Sequence, residues 1–154
     1  MKIFLISFLA LTVLITACDK DKFQTIPSLS IKSYSRKVVP PNGNIVITLE
    51  ATDKEGDVQD SVIIIKLRMN QRVVATIRDT IRYKFPAFPK TDRILIQANL
   101  DYQTILSAIN PPNIPGSNPP QREADTLLLK FAVRDNAGHT SDTVLSDQII
   151  VIRQ

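Results

Sequence analysis

The sequence predicts an all-β fold, a single antiparallel sandwich of about seven strands. Three observations lead there. Apolar residues recur at every second position through most of the chain, so one side of each segment faces a core and the other faces water. The segments are rich in valine, isoleucine and threonine, which suit a pleated backbone, and clusters of proline, glycine and asparagine separate them. Only 101–109 carries helical spacing, with Ile105, Leu106 and Ile109 ahead of a stop at Pro111. One helix among so many strands excludes a helical bundle or an alternating α/β fold.

Leu29 and Ile31 open the first strand. The cluster Pro40-Pro41-Asn42-Gly43-Asn44 breaks the chain before the second, where Ile45, Ile47, Leu49 and Ala51 line one face and Thr48, Glu50 and Thr52 the other. In the third, Ile63, Ile65, Leu67 and Met69 are expected to face inward, with Lys66, Arg68 and Asn70 outward. Val73, Ala75 and Ile77, then Ile81, Tyr83 and Phe85, continue the alternation through a turn expected at Arg78-Asp79-Thr80. Ile94, Ile96, Ala98 and Leu100 follow, then Leu127, Leu129, Phe131 and Val133. The last strand spans 143–153, and its run Ile149-Ile150-Val151-Ile152 predicts burial on both faces.

Ahead of the strands the chain has a different character. Lys2 is followed by an uncharged apolar run from Ile3 to Ile15, which stops against Cys18 and the charged Asp19-Lys20-Asp21-Lys22. A transmembrane helix needs ~20 apolar residues, so this run suits an export signal better than a permanent span. Its end, Ile15-Thr16-Ala17-Cys18, resembles the lipobox of bacterial lipoproteins. That resemblance implies removal of residues 1–17 and a Cys18 that becomes the N-terminus, carrying two or three acyl chains of the palmitate type. Several chains on one residue anchor stably where one alone is marginal, because each buried methylene contributes ~0.8 kcal/mol. The expected organisation is then signal peptide 1–17, acylated Cys18 with a polar tether through residue 28, and one folded domain over 29–154. The expected place is the cell envelope, anchored to the outer membrane in preference to the inner and facing periplasm or surface.

Cys18 is the only cysteine, so the domain has neither disulfides nor cysteine-ligated zinc and relies on its hydrophobic core. Losing Lys2 with the signal reduces the formal net charge of +4 by one. The remaining Lys and Arg are interspersed with acids, which argues against a nucleic-acid partner. The membrane, reached through the lipid, is the expected partner, together with an envelope protein or glycan.

Two passages resemble the strand-then-acidic-turn phrasing of bacterial immunoglobulin-like and cadherin-like surface domains: ITLEATDKEGD from Ile47 to Asp57, and AVRDNAGHTSD from Ala132 to Asp142. The resemblance implies an immunoglobulin-like or fibronectin-III-like topology and, by itself, no activity. The acidic turn is the candidate for site chemistry. Asp53, Glu55, Asp57 and Asp60 gather carboxylates within a few residues, and Asp135, beside Asn136, ends another strand that a sandwich can bring close. Calcium takes six to eight oxygen ligands of this kind, in which case the protein is a calcium-stabilised adhesion domain. The spacing departs from helix-loop-helix calcium loops, since Gly56 directly follows Glu55 and Ile64 stands where the bidentate acid belongs. The competing account is a solvated turn in which Gly56 supplies a positive φ.

Catalysis has thinner support. His139 is the only histidine, and a set of Ser141, His139 and Asp142 would have to aim at one substrate from a single short turn. A small hydrolase is therefore the weakest of the three readings, and no cofactor is implied beyond the candidate calcium. For binding, the segment 107–125 holds Pro111, Pro112, Pro115, Pro119 and Pro120, and long proline-rich loops are either functional surfaces or unconstrained connections. Tyr83 and Phe85 share the inward parity of the strand before them, which leaves Phe88 as the free ring of that stretch.

Overall fold

The computed structural model describes residues 25–70, 78–106 and 112–153. Their backbone forms nine strands and one short helix: β1 (Ser28–Tyr34), β2 (Val38–Val39), β3 (Asn44–Thr52), β4 (Ser61–Arg68), β5 (Arg78–Lys84), β6 (Arg93–Asp101), α1 (Tyr102–Ile105), β7 (Asp125–Arg134), β8 (Val144–Leu145) and β9 (Ile149–Val151). The count exceeds the expected seven because β2 and β8 are two-residue pieces.

The strands form two sheets. One has the order β1-β3-β6, and the other runs β2-β9-β7-β4-β5 with β8 beside β7. Every pairing is antiparallel except β2 with β9, which is parallel. The first segment therefore divides, β1 joining one sheet and β2 the other, in a β-sandwich. Between the sheets lie Ile45, Ile47 and Leu49 of β3, Leu100 of β6, Ile64 of β4, Leu127, Leu129 and Phe131 of β7 and Ile149 of β9, all essentially without solvent contact. Each such side chain contributes about 1.5–3 kcal/mol by leaving water, so a core of this size holds the domain without staples.

Register defines two ends of the sandwich. Ser28 pairs with Thr52, Thr52 with Arg93, and Ser61 with Arg134, so β1, β4 and β6 begin where β3 and β7 finish. This is the leading end, where the chain enters β1. At the far end lie the start of β3, α1 and the segment that leads into β7. Ser28 belongs to β1, and Pro27 just ahead of it is buried.

The alternation in β3, β6 and β7 is oriented as the sequence predicts. In β4 it is inverted: Val62, Ile64, Lys66 and Arg68 are buried, while Ile63, Ile65 and Leu67 are half-buried and Met69 is exposed. The strand is apolar on both faces up to Ile65, so only the charged residues could indicate direction, and here they point inward because partners await them. Lys66 Nζ lies 2.7 Å from Asp79 Oδ2 and donates to the carbonyls of Thr104 and Leu106. Asp125 is fully buried between Arg68, at 3.3 Å, and Arg153, at 2.6 Å.

Arg78, Asp79 and Thr80 do not turn; they lie in β5, antiparallel to β4. Tyr83 sits opposite Val62 on the inner face, as its parity predicts, yet it is exposed because β5 is the sheet's edge and extends past the three-stranded partner. Phe85 does pack against the core. The run at 149–152 is not buried on both faces: Ile149 and Val151 point inward, and Ile150 and Ile152 are exposed. The expected helix is one turn, started by Asp101, whose carboxylate accepts from Thr104 N–H at 2.7 Å, and closed by Lys66 on its last carbonyls. Residues 71–77 and 107–111, including Val73, Ala75, Ile77, Ile109 and Pro111, lie outside the described residues, as do Cys18 and the rest of 1–24.

Candidate metal centre

Three connections meet at the leading end: the β3–β4 loop, the approach to β6 and the turn after β7. The first is shaped by Asp53. Its backbone N–H donates to the Asp92 carbonyl, its Oδ1 accepts from Glu55 N–H at 3.3 Å, and its own carbonyl accepts from Gly56 N–H at 3.2 Å. Gly56 has φ +68°, and a Cβ there would stand 3.2 Å from the Thr91 backbone nitrogen, so both conformation and space call for glycine. Thr91 N–H in turn donates to the Gly56 carbonyl.

On its other side the same loop is stitched to the β7 turn. Asn136 N–H donates to the Asp57 carbonyl at 3.1 Å and Asp60 N–H to the Arg134 carbonyl at 3.3 Å. Gln59 bridges further, accepting from Asn136 Nδ2 and donating to the Phe88 carbonyl. Asp135 organises that turn as Asp53 organises the loop: its Oδ1 accepts from His139 N–H at 2.7 Å, and its Oδ2 lies 3.0 Å from His139 Nδ1.

The result is a compact acidic cluster. Carboxylate oxygens of Asp53, Asp57 and Asp135 lie within 4.8 Å of one another. Asp53 is 3% exposed and Asp135 1%, while Asp57 is half-buried. Of the five acids singled out by sequence, Glu55 and Asp60 fall outside the cluster. Glu55 is exposed, and Asp60 accepts from Ser61 Oγ and faces Arg134 Nε at 4.0 Å. Asp53 Oδ2 and Asp57 Oδ1 are buried and meet no donor while both groups are ionised. A proton held between these two side chains supplies one, which is the leading reason the Asp57 carboxyl titrates above the ordinary range; burial and the charge of Asp135 act in the same direction.

The residues considered for hydrolysis are not arranged for it. Ser141 is buried, its Oγ accepting from Val133 N–H and donating to the Asp142 carbonyl, and His139 pairs with Asp135 instead of Ser141. That partner, four residues before His139 across a tight turn, was missed at the sequence level; the signal is the Asp-Asn-Ala-Gly-His spacing, which lets the aspartate accept from the histidine that closes its own turn.

At the far end the proline-rich segment is folded back on itself. Asn113 bridges Arg122, Ile114 N–H donates to the Gln121 carbonyl, and Glu123 N–H donates to the Pro112 carbonyl. Pro115 and Gly116, with φ +74°, form the tip, and Ser117 Oγ accepts from Gln121 N–H. Pro112, Pro115, Pro119 and Pro120 are all exposed. Phe88 is half-buried with its ring edge-on to Phe85, so it is not the free platform expected. No protein-family model matches the chain, and no curated protein sequence is significantly similar to it.

Proposed function

We propose that this protein is a lipid-anchored, non-enzymatic module of the bacterial cell envelope, a β-sandwich that binds or scaffolds a partner at the membrane surface. The observation that carries the reading is Ile15-Thr16-Ala17-Cys18 closing an uncharged apolar run, a short distance ahead of the first strand at Ser28. A fully extended residue spans at most ~3.6 Å, so so short a tether keeps the leading end of the sandwich near the lipid.

The polarity of the fold supports a division of labour. The tether joins at the leading end, and the proline hairpin over 112–123 stands at the far end, a strand length of roughly 30 Å away. Its internal hydrogen bonds hold it in shape before any partner arrives, which lowers the ordering cost of binding. Exposed prolines on a preformed hairpin suit a protein partner better than a glycan, for which flat stacking rings are wanted and no tryptophan is present.

Globomycin treatment or Cys18→Ala tests the anchor. Either is expected to leave the precursor unprocessed and to abolish labelling by a palmitate analogue; unchanged processing and labelling overturn the reading. Replacing residues 113–122 with a glycine-serine linker in the anchored protein is expected to remove its main cross-linked partner, and an unchanged set of cross-links would exclude the hairpin as the contact surface.

A further inference from the structure

We propose that Asp53, Asp57 and Asp135 form a binding site for one divalent cation of the calcium class, at the leading end of the sandwich. The geometry fits a single ion. Calcium holds oxygens at 2.3–2.6 Å, so oxygens across its shell are ~4.6–5.2 Å apart, and the three carboxylates present atoms within 4.8 Å of one another.

The second observation is the orphaned oxygen of Asp53. Its side chain is almost wholly buried, at 3% exposure, and with the carboxylates ionised Oδ2 has no hydrogen-bond donor; the Oδ1 atom of the half-buried Asp57 is likewise buried without one. A buried carboxylate oxygen facing other carboxylates and no donor is strongly unfavourable unless something positive occupies the space between them. The salt bridges nearest the cluster bypass Asp53 and Asp57 among the described residues. Arg134 faces Asp60, His139 faces Asp135, and no ion pair reaches Asp53 or Asp57.

The supporting shell is already in place. Glu55 N–H holds Asp53, His139 N–H and its ring hold Asp135, and Asn136 N–H ties the backbone of Asp57 to the same turn. These contacts orient the ligands and leave other lone pairs of each carboxylate free. The donor set selects the ion. Three carboxylates from two stretches of chain are hard oxygen donors suited to calcium's large, adaptable shell. Magnesium keeps most of its waters and takes one or two carboxylates, and zinc wants nitrogen or sulfur.

The site does not depend on acylation, so its failure leaves the anchoring proposal intact, and the converse holds. The test is calorimetric titration and thermal unfolding of the full chain, purified in mild detergent, stripped with EDTA and then given calcium or magnesium chloride. Calcium is expected to bind with a Kd of ~0.1–1 mM, the range of extracellular modules, and to raise Tm by roughly 5–10 °C at saturation. Asp57→Asn, at the most exposed of the three, is expected to lose the response, while Glu55→Gln and Asp60→Asn keep it. If Asp57→Asn does not fold, the wild-type shift between EDTA and calcium still decides the matter. No heat and no Tm shift at 10 mM calcium would overturn the site. An equal response to magnesium, or equal loss in Glu55→Gln and Asp57→Asn, would overturn the assignment to calcium and to these three residues.

Discussion

Asp125 shows how much one buried charge can organise. Both its oxygens are engaged, Oδ1 with Arg68 Nη2 and Oδ2 with Nε and Nη2 of Arg153, and it has no solvent contact. Asp125→Asn keeps the shape and removes the charge, leaving two guanidiniums facing a neutral amide; the expected loss is about 3–5 kcal/mol, read from urea unfolding. Gly56 makes a different kind of demand. Gly56→Ala combines a left-handed backbone with a Cβ 3.2 Å from the Thr91 nitrogen, and about 1–3 kcal/mol of destabilisation is expected in the same assay. Gly116→Ala is the control, because its φ is also positive, at +74°, but nothing lies within 4 Å of the added carbon. The difference between the two variants measures the close approach of the β3–β4 loop to Thr91.

At the scale of elements, legibility followed the contrast between the two faces of a strand. In β3, β6 and β7 one parity is apolar and the other largely polar, and orientation was readable. In β4 the run Val62-Ile63-Ile64-Ile65 carries no contrast, and assigning Lys66 and Arg68 to water inverted the strand. Their counter-charges, Asp79 and Asp125, come from β5 and β7, which a single-strand pattern cannot see. Tyr83 failed for a related reason, since parity reports which face a residue is on but not whether a second sheet covers it. The acidic cluster was legible as a concentration of carboxylates; which three converge depends on how the β7 turn docks on the loop, and only the fold supplies that. The short helix offers a clean test of its cap. Hydrogen bonds from Thr104, its backbone N–H first, hold the Asp101 carboxyl below its ordinary value of 3.8. A group depressed in the folded state contributes stability that is present above pH 3.8 and is lost as pH falls through the lower folded value. The Thr104 amide resonance is expected to titrate below pH 3.8 in the wild type and to show no such step in Asp101→Asn.

For the whole molecule, the governing feature is that the chain enters and the acids gather at one end while the hairpin rises at the other. The sheets are unequal, three strands against six, so the larger one overhangs at β5, and its outer face carries Ile63, Ile65 and Leu67 where a fully wetted surface was expected. β1 links the two ends directly, running from Ser28 at the leading end to Tyr34 along β3. Pulling between the N-terminal segment and the far hairpin would load the β1–β3 ladder along its length, with its hydrogen bonds sharing the strain instead of opening one after another. If the chain is anchored through its N-terminal segment and held at the hairpin, as proposed, that ladder would carry the load, and endurance under force would be set by its rate of unfolding.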